Sequence, residues 1–340
     1  MMLTLARPDD WHVHLRDGEM LAAVLPATAA HFGRALVMPN LVPPVTTAAE
    51  AAGYRARIAA QSPAGFTPVL AGYLTDTTDP ADVAAGFADG VWRAMKLYPA
   101  NATTNSHHGV TDIAGRMPVF ERMAAIGMPL CVHGEVTDPG VDVFDREAVF
   151  LADVLAPIRA ALPELRIVVE HATTREAVQF VEAHANTWAS ITPHHLWWNR
   201  NALFAGGLRP HAYCLPILKR EGDRRALVDA ACSGDGRFFA GTDSAPHAVH
   251  RKEQDCGCAG VFCAPTALPT YAEVFDDEGA LDRLEGFTSH HGADCYGLPR
   301  PSATVTLVKE AWVPPETLQA GAQTVRVFRG GETVRWRVRE

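Results

Sequence analysis

The sequence predicts an α/β protein, a (β/α)8 barrel (TIM barrel) with a short C-terminal β appendage, and three observations carry that expectation. Eight short β-branched or apolar runs recur along the chain, each ending in polar, Gly or Pro residues. Helical patterns lie between most of them, as crossovers between parallel strands require. The 340 residues suit one large barrel or two ordinary domains.

In order, the runs are WHVHL (11–15), RALVMPN (34–40), FTPVLAGYLT (66–75), VWRAMKLYP (91–99), MPLCVHGE (128–135), RIVVEHAT (166–173), TWASITPHH (187–195) and RFFAGTDSAPH (237–247). Two of the intervening helices have legible starts: Thr47 with Glu50 three residues on, and Thr173 with Glu176. The longest departures from the repeat fall at 100–112, 193–236 and 244–270. Each follows a strand, so each is expected at the barrel mouth, where such loops cover substrate. After Pro301 the pattern becomes ATVTLV, QTVRVF and ETVRWRV, with a turn RGGE between the last two. This reads as strands packed on the barrel, making 1–340 one domain. A separate domain is the alternative, but so short a segment buries little by itself.

Composition narrows the function classes. With 48% hydrophobic and 20% charged residues the chain has enough apolar surface for a core. A net charge of −9 disfavours nucleic acid and anionic membrane as partners, so an anionic ligand needs a local positive site. The N-terminus carries Asp9 and Asp10 where a signal peptide is apolar, and His31 and Arg34 interrupt the longest apolar stretch. Seven cysteines, an odd number in a large chain, suit a reducing cytoplasm.

Histidine is over-represented, at 15 residues. His12 and His14 are two apart on the first strand, so both face one way and can converge on one cation. Alone, that pair reads equally as core or surface histidines. Lys96, His133, His171 and Asp243 then end the fourth, fifth, sixth and eighth runs, and all four are expected at the same mouth. A buried lysine has a lowered pKa, and its neutral amine reacts with CO2 to give a carbamate, N6-carboxylysine, which turns a repelling cation into a bidentate oxygen ligand. Such a carbamate on Lys96 can bridge two Zn2+, with His12 and His14 on one, His133 and His171 on the other, and Asp243 completing the first. Two dications against a carbamate, an ionised Asp243 and a bridging hydroxide leave about one positive charge, and the pair can activate water and polarise a carbonyl while Asp243 takes the proton. The opposing reading pairs Lys96 with Asp243 in a salt bridge among four ordinary histidines.

The order HVH, Lys96, His133, His171, Asp243 resembles the amidohydrolase superfamily. RPDDWHVHLRDG, VMPNLVPPVTT, MKLYPANATTNS, MPLCVHGEVT, RPHAYCLPILK and GTDSAPHAVHRKE narrow the resemblance to the dihydroorotases of the shorter, homodimeric bacterial type (class II), from Arg7 to beyond residue 260. The resemblance implies zinc-dependent, reversible cyclisation of N-carbamoyl-L-aspartate to L-dihydroorotate, the third step of pyrimidine synthesis, and a homodimer. Arg16, close to His14, can offer a planar fork to a carboxylate. The resemblance assigns the substrate carboxylate to Arg16, Asn40 and His247, and the ring edge to backbone groups at Leu215 and Ala259. Asn40 reads alternatively as a cap on the NLVPP turn, and Arg16 as an ion-pair partner of Asp17 or Glu19. A loop comparable to NATTNSHHG closes over substrate in the family, so Thr103 and Thr104 are expected on a lid.

Several features compete with this reading. Cys256, Cys258 and Cys263 form C-x-C-x4-C, which lacks a fourth ligand at zinc-finger spacing, although His250 is near; packing by small residues is the expectation. GVTDIAGR and FAGGLRP do not make a dinucleotide-binding turn. The resembling family more often has serine and glutamine at positions 107 and 194. His107, His194 and His195 are expected in mouth loops, solvated or holding adventitious zinc. Trp197 and Trp198 are expected to pack rather than stack on bases. The rival enzyme is a hydantoinase or allantoinase using the same metal pair, and the rival outside enzymes is a catalytically dead scaffold barrel.

Overall fold

The computed structural model describes residues 1–339. Before the barrel comes a strand that sequence reasoning did not anticipate, β1 (Met2–Ala6). The eight expected runs follow as β2 (Asp9–Val13), β3 (Arg34–Val37), β4 (Thr67–Tyr73), β5 (Ala94–Leu97), β6 (Leu130–Val132), β7 (Ile167–Val169), β8 (Thr187–Ile191) and β9 (Phe238–Ala240). They pair in parallel in chain order from β2 to β9. The ring closes where the Asp243 N–H donates to the His12 carbonyl at 2.8 Å and the His14 N–H to the Ser244 carbonyl at 3.0 Å. Strands buried on both faces need apolar residues throughout, which is why these runs do not simply alternate.

Alternation still decides what fills the interior. Leu36, Ala71, Ala94, Cys131, Val168 and Phe239 contribute one residue per strand to a buried layer floored by Trp11 and Tyr296, whose rings stack at 4.7 Å. Two residues further along come Lys96, His133 and Glu170, on the same inward face but nearer the carboxyl ends. A register shift between Asp10 and Val13 breaks the alternation of β2, so Trp11 joins the floor while His12 reaches the site above it.

Helix starts follow capping chemistry. Thr47 forms the full capping box with Glu50 at the head of Ala48–Ala59. The second expected start moves by one: Thr174, not Thr173, caps Arg175–Ala183, because the Thr173 amide and hydroxyl are both spent on buried Glu147.

The tail also differs from expectation. β10 (Thr304–Val308) pairs antiparallel with β1, from Met2 opposite Val308 to Ala6 opposite Thr304. A hairpin of β11 (Thr317–Ala320) and β12 (Gln323–Arg326) turns through Gly321, at φ 58°. The run ETVRWRV yields only β13 (Arg337–Val338), on the other edge of β10. Arg329, in the RGGE turn, reaches the buried Glu273 carboxylate at 3.0 Å, and the Phe328 N–H donates to the Phe262 carbonyl at 2.8 Å. Both contacts hold the tail against the barrel.

Candidate metal centre and active site

The seam between β2 and β9 brings His12, His14 and Asp243 together. Asp243 Oδ1 lies 3.4 Å from His12 Nε2 and 3.1 Å from His14 Nε2. Both imidazoles are turned by their far nitrogens: His12 Nδ1 meets Glu170 Oε2 at 2.9 Å and His14 Nδ1 meets Asn40 Oδ1 at 2.7 Å. Those oxygens only accept, so each Nδ1 carries a proton, and a cation that displaces any second proton meets an Nε2 lone pair on each ring, although burial is outweighed at His12 by the surrounding carboxylates, which push its pKa up. Two lone pairs and a carboxylate oxygen thus point at one another. A cation between them makes that arrangement favourable, and carboxylate- or carbonyl-backed histidines are the usual ligands of such a cation. Burial holds the His14 imidazole at about 4, ready to ligate as the neutral ring.

Lys96 is fully buried at the end of β5, with Nζ 3.4 Å from His171 Nε2 and 5.1 Å from the centre of the Tyr98 ring. It forms no ion pair with a carboxylate among the described residues, so the expected alternative, a Lys96–Asp243 salt bridge, is not formed. Burial pushes its pKa down, against the more distant charges of Glu170 and Asp243. An amine whose charged form burial disfavours, set among imidazoles, fits carbamate formation. His133 and His171 have ring centres 4.9 Å apart, and His12 and His171 the same. His171 Nδ1 is buried without a partner, an orphan that a missing ligand accounts for.

Arg16, Asn40, Thr103, Thr104, Leu215 and Ala259 line the same cavity with the histidines and Asp243. His247 borders it through Arg16, whose Nη2 donates to His247 Nε2 at 3.0 Å. Asn40 does not cap its turn: Oδ1 holds His14, and Nδ2 faces the Thr104 carbonyl at 3.4 Å. Arg16 pairs with neither Asp17 nor Glu19, because Asp17 is taken by Arg57 at 2.8 Å. The loop bearing Thr103 and Thr104 lies down over the mouth, where Thr104 Oγ1 accepts from the Ala259 N–H at 3.0 Å.

Three carboxylates important to this geometry escaped sequence reasoning. Glu170 orients His12 and also accepts from Ser190 Oγ at 2.5 Å. Glu135 Oε2 lies 2.8 Å from His133 Nε2. Asp10 accepts from the amide and hydroxyl of Thr242 at 2.8 and 2.6 Å, pinning β2 to the segment that carries Asp243. Alternation from Val168 was the available signal for Glu170. Arg16, His171 and Asp243 have φ of 60°, 42° and 45°. Non-glycine residues at positive φ are strained, and here the departure lets neighbours such as Glu170 and His171 both reach the centre.

Other expectations resolve simply. Cys263 is buried, with Sγ 3.3 Å from the Thr242 carbonyl, whereas Cys256 is exposed; the three cysteines do not converge. His107 is exposed beside His108. His194 and His195 are not solvated loop residues: both are buried on a short helix, Pro193–Trp197, that follows β8. Trp197 packs under the Arg329 guanidinium at 3.8 Å and Trp198 against Phe328 at 4.6 Å.

The amidohydrolase family model matches residues 9–313. The dihydroorotase of Laribacter hongkongensis is 58% identical over 340 residues, covering 99% of each chain. Among solved structures, dihydroorotase from Campylobacter jejuni superposes with a TM-score of 0.92 at 34% identity, over 100% of this chain and 98% of that one. Dihydroorotase from Saccharomyces cerevisiae in complex with 5-fluoroorotic acid superposes with a TM-score of 0.93 at 32% identity, over 99% and 98%.

Proposed function

The chain belongs to the amidohydrolase family, among its dihydroorotases, and from that premise we propose that the β2–β9 rim is where it interconverts L-dihydroorotate and N-carbamoyl-L-aspartate. It is a metal-dependent hydrolase of a cyclic amide. The observation that carries the assignment of the site is the convergence of His12, His14, His171 and Asp243 around bare nitrogen lone pairs, with a buried, unpaired Lys96 behind them.

His12, His14 and Asp243 would hold one zinc, His133 and His171 the second, with a carbamate on Lys96 between them. When bound, the two cations supply a water that ionises near neutral pH and a Lewis acid for the ring carbonyl. Asp243, at the rim, takes the proton of the attacking water and delivers it to the departing ring nitrogen; ring closure reverses both transfers. Arg16 supplies a fork of donors to the substrate carboxylate, joined by Asn40 Nδ2 and by His247. Backbone groups at Leu215 and Ala259 meet the ring edge, and Thr103 and Thr104 close the mouth against water. The yeast neighbour is described in complex with a pyrimidine carboxylic acid, which suits the Arg16–His247 pair. Hydantoinase structures at 13–16% identity share the fold alone.

The same reading makes the chain a single domain and a homodimer working in the cytoplasm on a small-molecule substrate. No helix of the described residues is long and apolar enough to cross a membrane. The test is an absorbance assay of dihydroorotate hydrolysis with and without chelator, on the native chain and Asp243→Ala. Loss of activity in both arms is expected, and activity that survives both contradicts the assignment.

A further inference from the structure

One cluster of ligand-type side chains lies apart from the rim. His194 and His195 ride on the Pro193–Trp197 helix, and Cys214 immediately precedes Leu215. All three are buried, and one donor atom from each lies within 4.8 Å of the other two. His195 Nε2 stands 3.6 Å from Cys214 Sγ. Two ligands of a tetrahedral zinc, with Zn–N about 2.0–2.1 Å and Zn–S about 2.3 Å, stand about 3.6 Å apart. The His194 donor lies within 4.8 Å of both, so it completes the set by turning inward.

His194 is the independent sign that something is missing. It is 0% exposed, yet neither ring nitrogen has a hydrogen-bond partner. Burial leaves its imidazole neutral, held at about 4. A buried polar ring with two idle nitrogens calls for an explanation, and a bound cation gives one. His195 already has the backing of a ligand: Thr192 Oγ1 lies 2.7 Å from its Nδ1. The lysines whose charges reach Cys214 are turned elsewhere, Lys252 Nζ to the Tyr213 and Gly260 carbonyls at 2.7 Å each and Lys219 Nζ to the Ile217 carbonyl at 3.0 Å.

We propose that His194, His195 and Cys214 form a further cation site, separate from the rim, that takes zinc with water in the fourth position. Two imidazoles and a thiolate suit zinc and disfavour magnesium or calcium. Without the ion, Cys214 Sγ and His195 Nε2 both face the Pro216 carbonyl, at 3.5 and 3.0 Å. On binding, the Cys214 thiol proton leaves to solvent and a Zn–S bond forms. In the ion-free chain the His195 Nε2–H donates to the Pro216 carbonyl and Nδ1 accepts from the Thr192 hydroxyl; on binding, Nε2 gives up that contact, the ring proton moves to Nδ1 and is donated to Thr192 Oγ1, and Nε2 is freed for the ion. An ion there ties the Leu215 segment, which lines the rim cavity, to the end of β8.

Cobalt(II) titration of the full chain tests this, because the donors at the rim are nitrogen and oxygen only. A thiolate-to-cobalt charge-transfer band therefore reports a cysteine site, whatever the chain catalyses. The band is expected in the native chain, lost in His194→Gln and in Cys214→Ser, and retained in the double variant Cys256→Ser/Cys258→Ser. Bound zinc after dialysis should fall by one ion per chain in His194→Gln. No band in the native chain overturns the proposal, as does a band that survives His194→Gln or disappears with Cys256 and Cys258. Should Cys214→Ser not fold, His194→Gln, which keeps a neutral side chain of similar size, decides alone.

Discussion

Lys96 Nζ faces His171 Nε2 across 3.4 Å, with no carboxylate paired to it. A lysine kept in that setting is useful once it no longer carries an ammonium charge. Lys96→Met preserves the bulk and removes the amine. The variant should fold, lose the two cations of the rim while keeping one at His194, His195 and Cys214, and lose measurable turnover. In Lys96→Ala, a short carboxylic acid added to the buffer should restore part of both by filling the vacated space with two oxygens. Elemental analysis and the absorbance assay read the two effects, and a Lys96→Met chain that keeps the full native complement of cations rejects the bridge.

Glu170→Gln replaces the acceptor behind His12 with an amide that can offer the wrong end to Nδ1. Metal affinity should fall by about 10- to 100-fold, the usual effect of losing such a backing group. Competition with a chromogenic chelator measures it, and unchanged affinity removes Glu170 from the centre.

Thr103→Ala/Thr104→Ala removes the hydroxyl now resting on the Ala259 amide at 3.0 Å. Turnover should fall while the metal content stays constant. Unaltered turnover rejects the lid role.

Gly292→Ala tests the floor beneath the site. A Cβ there lands 2.1 Å from Trp11 Cδ1 and Nε1, both parts of a rigid ring. Overpacking of this kind costs about 1–3 kcal/mol. A melting temperature lowered by several degrees is expected in calorimetry, whereas an unchanged one means the short helix His291–Cys295 can move away from Trp11.

His31 provides a pH dependence away from the metal ligands. Burial holds its pKa at about 4, below the 6.5 of an exposed histidine, and its Nδ1 donates to the Ala264 carbonyl at 3.1 Å. The unfolded chain therefore takes up this proton first. The associated stability is present above pH 6.5 and is lost as the pH falls towards 4, at up to about 1.4 kcal/mol per pH unit. His31→Gln should flatten the decline in unfolding free energy between pH 6.5 and 4 relative to the native chain. Parallel curves for the two proteins contradict the assignment.

The barrel was legible because each strand is a short run buried on both faces and cut off by polar residues. The candidate ligands were legible because inward positions at strand ends are few and chemistry-bearing residues stand out there. What escaped is what the local sequence does not encode. β1 pairs with β10 about 300 positions away, and no local pattern marks that partner. Thr173 looked like a cap, but only the fold brings Glu147 close enough to claim it. Glu135 and Glu170 carry no local mark of a role, and the fold gives them partners: His133 two residues back for Glu135, and His12 of β2 and Ser190 of β8 for Glu170. His194 was assigned to a loop because its five-residue helix is too short to show a period.

Barrel closure across β2 and β9 has a consequence for biosynthesis. Along a nascent chain His12 and His14 come more than two hundred residues before Asp243 and the Thr242 that clamps Asp10. Until then the amino-terminal pair has no carboxylate opposite it, and any ion captured early is held by imidazoles alone. On the proposed assignment the site is completed only when β9 closes the ring, and a fragment that stops short of it would carry half of the site.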